Sequence, residues 1–227
     1  MSTLGKLALG AMGRLRPRPA TGDSTPLIPL PDPSRQGGPG LFDTLAARHS
    51  TRAFAPTPLP PQMLSDLLWA ANGVNRPGGG RTAPSALDAQ EIDVYVALPE
   101  GAYRYDPAAH VLRLTAGRDL RRITGYQDFV DDAPLDLVYV ADHARMRMVP
   151  AGQRSAYAHV AAGAVAQNVY LFAAARGLAT VIRAWIDREA LAEALGLTPD
   201  QHVLLSQTIG FPAEGEGHGD VTKGRDS

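Results

Sequence analysis

Cysteine is absent from the 227-residue chain, and that one absence removes disulfides, thiolate zinc sites, iron–sulfur clusters and cysteine nucleophiles together. Redox chemistry would need a bound organic cofactor or a metal on other ligands. An excess of either charge is missing too: 22 Lys and Arg face 23 Asp and Glu, a formal net charge of -1. Nothing electrostatic therefore invites nucleic acid or anionic lipid, and neither is expected as a partner. Any phosphate site must be local. Hydrophobic residues at 44% and charged residues at 20% give the balance of a folded, soluble chain.

Several local signatures are missing as well. No GxSxG elbow, HExxH helix, GxxxxGKS/T loop or strand-to-helix GxGxxG occurs, which removes the common hydrolase, zinc-protease and nucleotide-cradle motifs. Gly78-Gly79-Gly80 lacks the Lys and Ser/Thr of a phosphate loop and reads as a flexible turn. His49, His110, His143, His159, His202 and His218 are scattered without metal-ligand spacing, so no metal is expected. Asp131-Asp132 beside Asp136, and Asp142-His143, read as polar ends of strands. The apolar run Leu7 to Met12 is too short and glycine-interrupted for a secretory segment, and a cytoplasmic location is expected. Ala156 to Ala175 is nearly all apolar, yet alanine supplies much of it, so a buried helix is expected there and no membrane span.

What is present divides the chain in three. Residues 1–40 are rich in Pro and Gly, carry Arg14, Arg16, Arg18 and Arg35, and show no helical or strand period, as an arm would. The folded domain is expected over residues 41–212, with a charged, Gly-rich tail over 213–227. Leu41 to Ala47 has helical spacing. Pro60 and Pro61 can open a second helix that buries Met63, Leu64, Leu67, Leu68 and Ala71 and stops at Gly73. Ile92 to Leu98 alternates like a strand, Ala102 to Tyr105 and Val111 to Leu114 read as a hairpin, and Leu135 to Ala141 reads as a central strand. Tyr157 to Arg176 is apolar all round, which a helix tolerates when other elements or a second subunit cover it. Asp187 caps a short helix ending at Leu195, and Val203 to Ile209 is the last strand. Without regular βαβ units, this order predicts an α+β domain with a mostly antiparallel central sheet flanked by helices.

Arg48-His49-Ser50-Thr51-Arg52 places two guanidiniums, an imidazole and two hydroxyls within five residues at a helix exit. Arg forks and hydroxyls suit a phosphate monoester; a solvated basic turn is the alternative on charge alone. With Phe54 behind it, the segment resembles the RRSxRxF signature of flavin reductases in the nitroreductase superfamily, His49 standing where a second Arg is usual. Ala83 to Gln90 resembles that family's PSxxNxQ loop, with Ser85 and Gln90 matching and Asp88 in place of Asn. Gln167-Asn168-Val169-Tyr170-Leu171 followed by Gly177-Leu178-Ala179-Thr180 is similar to its QNxxLxAxxxGL segment, and Gly210-Phe211-Pro212 to its closing GYP. The resemblance covers about Leu41 to Pro212 and is nearer the SagB/ThcOx-type branch through Asn75-Arg76, Arg81 to Ser85 and Gln90-Glu91-Ile92-Asp93.

The resemblance implies an intertwined homodimer with FMN at the subunit interface. Arg48, His49, Ser50 and Arg52 would take the phosphate, while Pro84, Ser85, Ala86, Asp88 and Gln90 would face the ring. Ala179, Thr180 and Val181 would pass its edge, with backbone N–H groups of Thr180 and Val181 as donors. Flavin N5 would carry the hydride chemistry, so no side-chain acid or base is assigned. Tyr126, Gln127 and Phe129, between regular elements, are the substrate candidates. The function implied is transfer of hydride between FMN and NAD(P)H or a small nitro, quinone, enone or azoline-type substrate. Two alternatives stand beside it: a flavin-binding component of a larger modification complex, docked by the arm, and a flavin-free dimeric scaffold, which His49 and Asp88 make conceivable. Lys223 and Arg225 follow Pro212 at a longer gap than usual and are left out of the site.

Overall fold

Two strands rich in β-branched and aromatic residues form the centre of the protein. The computed structural model describes residues 15–214; Ile92–Leu98 (β3) and Leu135–Asp142 (β7) pair antiparallel within it, and nearly every residue of both is buried. Burial on both faces is what near-continuous apolar runs require. Gly101–Asp106 (β4) joins β3 and turns into Val111–Ala116 (β5), while Gln201–Gly210 (β9) joins β7 and carries Ala179–Arg183 (β8) as an edge strand. With Leu27–Pro29 as β2, the seven-stranded order is β2-β5-β4-β3-β7-β9-β8, with every pairing antiparallel.

Two of the remaining strands come from the segment expected to be an arm. Leu27–Pro29 (β2) pairs with β5, and Arg18–Pro19 (β1) pairs with Arg118–Asp119 (β6). Leu15 is buried, its N–H donating to Asp187 Oδ2 at 3.1 Å, and Ser34 N donates to Asp66 Oδ1 at 2.7 Å. The folded unit therefore begins well before Leu41. The physical reason is that an edge strand needs only one set of partners and tolerates proline, so Leu27-Ile28-Pro29 can pair where a central strand could not.

Helices Pro61–Asn72 (α2) and Ala151–Arg176 (α3) lie on one face of the sheet, Leu41–Ala47 (α1) packs against α3, and Arg188–Leu195 (α4) lies on the other face. Their ends follow the sequence signals: Pro61 opens α2, Asp187 caps α4 by accepting Ala190 N at 3.0 Å, and Gly177 closes α3 with φ 66. That left-handed turn favours glycine. Ala158, Ala161, Ala162, Val165, Ala166, Val169 and Ala173 of α3 pack into the core, whereas Val160 is 75% exposed, and Phe42 on the neighbouring α1 is 84% exposed. Within one chain, α3 is covered on one side only. It is also the one described helix long and apolar enough to meet a membrane-span criterion.

Candidate functional site

The chain leaves α1 at Arg48, where the backbone becomes extended (φ -63, ψ 119) and carries Arg48 to Arg52 against the edge of β8. Thr51 N donates to Thr180 O at 3.0 Å, and Ile182 N donates to the Tyr170 hydroxyl at 3.0 Å. That hydroxyl lies 2.8 Å from Ser50 Oγ. Having accepted from Ile182, it can give its own proton to Ser50, which keeps the Ser50 proton free to donate outward. Tyr170 thus ties α3, β8 and the Arg48–Arg52 segment together.

Strand geometry decides which backbone donors face out. Residues in an antiparallel pair alternate between those bonded across the ladder and those whose N–H and C=O both leave it. Thr180 O and Ile182 N bond outward, so Ala179, Val181 and Arg183 are the residues turned into the ladder with β9. Of the two donors expected from sequence, the amide of the buried Thr180 lies on the side of β8 away from β9, beside the Arg48–Arg52 segment, and the Val181 amide lies within the ladder. The Thr180 side chain is anchored from behind: Oγ1 donates to Thr208 O at 2.8 Å and accepts from Gln207 Nε2 at 3.0 Å, while Gln207 Oε1 accepts from the buried Tyr139 hydroxyl at 2.6 Å.

The cations remain available. Arg48 lies over the Tyr170 ring at 5.5 Å, Arg52 is exposed, and among the described residues neither pairs with a carboxylate. His49 is exposed, its Nδ1 donating to Ala47 O at 2.7 Å, which leaves Nε2 outward. Gln167, expected to be buried, is exposed, while Asn168 reaches Ala71 O on α2 at 3.5 Å.

The second expected segment forms a tight, strained loop. Ala86–Asp88 is a short 3-10 turn, and Leu87, Asp88 and Gln90 have φ of 55, 51 and 49. Each such left-handed side-chain-bearing residue costs about 1–2 kcal/mol. Pro84 and Asp88 are exposed, Ser85 and Ala86 half-buried, and Leu87 is 70% exposed. Gln90 does not present its amide: Oε1 accepts from Arg81 Nε at 2.9 Å, and Nε2 donates to Gly79 O and to Asp88 Oδ1, each at 3.2 Å. Glu91 next to it is fully buried with neither carboxyl oxygen hydrogen-bonded, and burial pushes its carboxyl up. Arg145 carried no local signal for a role here, since its partners Gln90 and Asp93 are more than fifty residues away in sequence.

One chain does not bring the two segments together. The 84–90 loop feeds Ile92, which aligns through Ala141 with His202 at the start of β9, whereas Thr180 aligns with Ile209 near its end. Those registers separate the two by about 23 Å along β9, at about 3.3 Å per residue.

The substrate candidates divide as well. Tyr126 stacks on Trp185 at 5.3 Å, while Phe129 packs on Phe54 at 5.6 Å and under the Arg183 guanidinium, close to the Arg52 segment. Gln127, half-buried, lies between them in the chain. Arg183 fixes this stretch by donating to Thr124 O at 2.9 Å and Asp136 Oδ1 at 2.6 Å. Burial pushes the Asp136 carboxyl up, against the pull of Arg183 and of the Thr208 hydroxyl. Lys223 and Arg225 lie outside the described residues.

A family model described as the nitroreductase family matches residues 45–211. The chain belongs to the nitroreductase family. MJ1384 of Methanocaldococcus jannaschii, a protein named for the nitroreductases, is 36% identical over 185 residues, 77% of this chain and 92% of that one. A crystal structure from Ralstonia eutropha JMP134, also named for the nitroreductases, is 54% identical, with TM-score 0.85 over 88% of this chain and 96% of that one. A Desulfovibrio desulfuricans family member solved in complex with FMN has TM-score 0.56 at 23% identity, over 76% of this chain and 86% of that one, a likeness of fold. Nitroreductase membership gives oxidoreduction as the class of activity and confirms the α+β, mostly antiparallel fold.

Proposed function

We propose that this nitroreductase-family protein is an FMN-dependent oxidoreductase, acting as a homodimer on NAD(P)H or a small nitro, quinone, enone or azoline-type substrate, and belonging to the SagB/ThcOx-type branch. The observation that carries the reading is the meeting of Arg48, Ser50 and Arg52 with the Thr180 amide at the edge of β8 away from β9. Two guanidiniums with no described carboxylate partner and a hydroxyl with its proton free fit a phosphate monoester. The Thr180 N–H, fixed from behind by Gln207, can donate to an acceptor at the edge of a flat ring. Bound FMN would supply N5 as the hydride donor or acceptor. The FMN complex of the Desulfovibrio relative supports the same cofactor for this fold.

The homodimer rests on two observations. The Ser85–Gln90 loop and Thr180 lie at opposite ends of the sheet, so a second copy is what can unite them over one ligand. The bare face of α1 and α3, with Phe42, Leu41 and Val160 exposed, is the kind of apolar patch that marks an interface. Within the described part of the N-terminal segment, Arg18–Pro19 and Leu27–Pro29 are paired with strands of the fold, which favours a structural part for those residues over a free docking arm.

Titrating purified protein with FMN tests the reading. Replacing both Arg48 and Arg52 with Ala should weaken binding at least tenfold, since a charge-assisted hydrogen bond contributes about 1.5–3 kcal/mol. An unchanged affinity removes the phosphate assignment. A wild-type protein that binds no FMN favours the flavin-free scaffold. Stopped-flow mixing of the FMN-loaded protein with NADH and NADPH then reports whether either is a reductant.

A further inference from the structure

We infer that Arg145 is the positioning residue that holds the Ser85–Gln90 loop in its ligand-facing shape, with Arg81 assisting. The inference rests on the flavin reading of that loop. Arg145 sits on the short 3-10 turn His143–Arg145 after β7, more than fifty residues from the loop in sequence, and its three nitrogens go to three different elements. Nη1 donates to Gln90 O at 2.7 Å, Nη2 to Asp93 Oδ2 at 2.5 Å, and Nε to Asp142 Oδ2 at 3.2 Å. The two carboxylates lock the guanidinium to the starting end of β3 and the finishing end of β7, and the remaining nitrogen grips the loop.

Three of the four non-glycine residues with positive φ in the described chain, Leu87, Asp88 and Gln90, lie in this loop. Such a conformation persists only where its surroundings over-determine it, and it is found where a ligand is met. The surroundings converge on Gln90. Its N–H donates to Ser85 Oγ at 2.9 Å, its C=O accepts from Arg145, and its side-chain amide is spent on Arg81, Gly79 and Asp88. Gln90 is therefore part of the frame, and the groups left for a ligand are the Ser85 hydroxyl proton and the second oxygen of Asp88. Lysine could not replace Arg145, because a single ammonium on a flexible stem lacks the planar fork that spans these acceptors.

A purely structural role, tying β3 to β7, would use the same Asp93 and Asp142 contacts, and Leu87 separates the two. Its side chain is largely exposed, so Leu87→Gly removes little packing while making the left-handed turn easy for the backbone. If Arg145 acts through loop shape, that glycine should compensate for its loss.

The experiment compares wild type, Arg145→Met, Arg145→Lys and Arg145→Met/Leu87→Gly as purified full chains. Hydrogen exchange over residues 85–91 is read without flavin, and FMN affinity is read by fluorescence. Arg145→Met should leave the protein folded, speed exchange in that segment and weaken FMN binding at least tenfold. Lysine should rescue little, and the added glycine should recover most of both losses. Loop exchange unchanged in Arg145→Met, or a double variant no better than the single, overturns the inference. If Arg145→Met does not fold, Arg145→Lys with and without Leu87→Gly makes the same comparison. A wild type that binds no FMN counts against the flavin reading alone, since exchange still decides the role of Arg145.

Discussion

The Tyr170 hydroxyl accepts the Ile182 amide and serves Ser50, so removing it has two separable effects. Tyr170→Phe should leave the Ile182 N–H unpaired and lower stability by about 1–3 kcal/mol, read as an earlier urea midpoint, and it should also weaken FMN binding by releasing Ser50. A midpoint equal to wild type would mean that the amide finds another partner. Glu91 offers a test of opposite sign. Burial, the largest influence, raises its carboxyl above the ordinary 4.5, against its own backbone amide and Arg145. A raised folded value means the stability it allows is present below about pH 4.5 and lost as pH rises through the folded value. Glu91→Gln should therefore melt higher than wild type at pH 7 and match it near pH 4. Equal melting temperatures at both pH values would show that the buried carboxyl has found a partner. Neither residue was legible from sequence: Tyr170 reads as one apolar position of a helix, and nothing in Gln90-Glu91-Ile92 says that the carboxylate is buried.

At the scale of elements, the sequence signalled the helices and inner strands through local rules that the fold obeys. Pro61, Asp187 and Gly177 sit at the helix ends they predict, and the alternation of Ile92–Leu98 and the apolar run of Leu135–Asp142 became the two central strands. Edges were harder to read. Ala179–Arg183 is five residues long and follows a helix-capping glycine, and Leu27-Ile28-Pro29 is framed by prolines; both are defined by the strand beside them. Half of the candidate site was legible because Arg48 to Arg52 is chemically dense in five residues, whereas the side of β8 on which the Thr180 amide lies came from register. β2 also covers the edge of β5. Deleting residues 1–30 removes that strand and the buried Leu15 side chain, whose burial contributes about 1.5–3 kcal/mol. The truncated protein should melt several degrees lower and associate in a concentration-dependent way through the bared edge. Light scattering that matches the full chain would show the edge to be harmless.

For the whole molecule, β9 sets the scale. Its length places the Ser85–Gln90 loop and the Thr180 edge at opposite ends of one sheet, so each chain of a two-fold pair would own two different half-sites. Injuries to opposite halves would then segregate. A chain carrying Arg48→Ala/Arg52→Ala and a chain altered at Ser85 and Asp88 are each defective alone, but unfolded together and refolded as mixed dimers they leave one of the two sites with both halves untouched. Tight FMN binding should reappear in the mixture and in neither parent. Its failure to reappear would mean that both halves of a site come from the same chain. Under that arrangement no copy of this protein holds a complete site by itself, and subunit exchange becomes a means of repair.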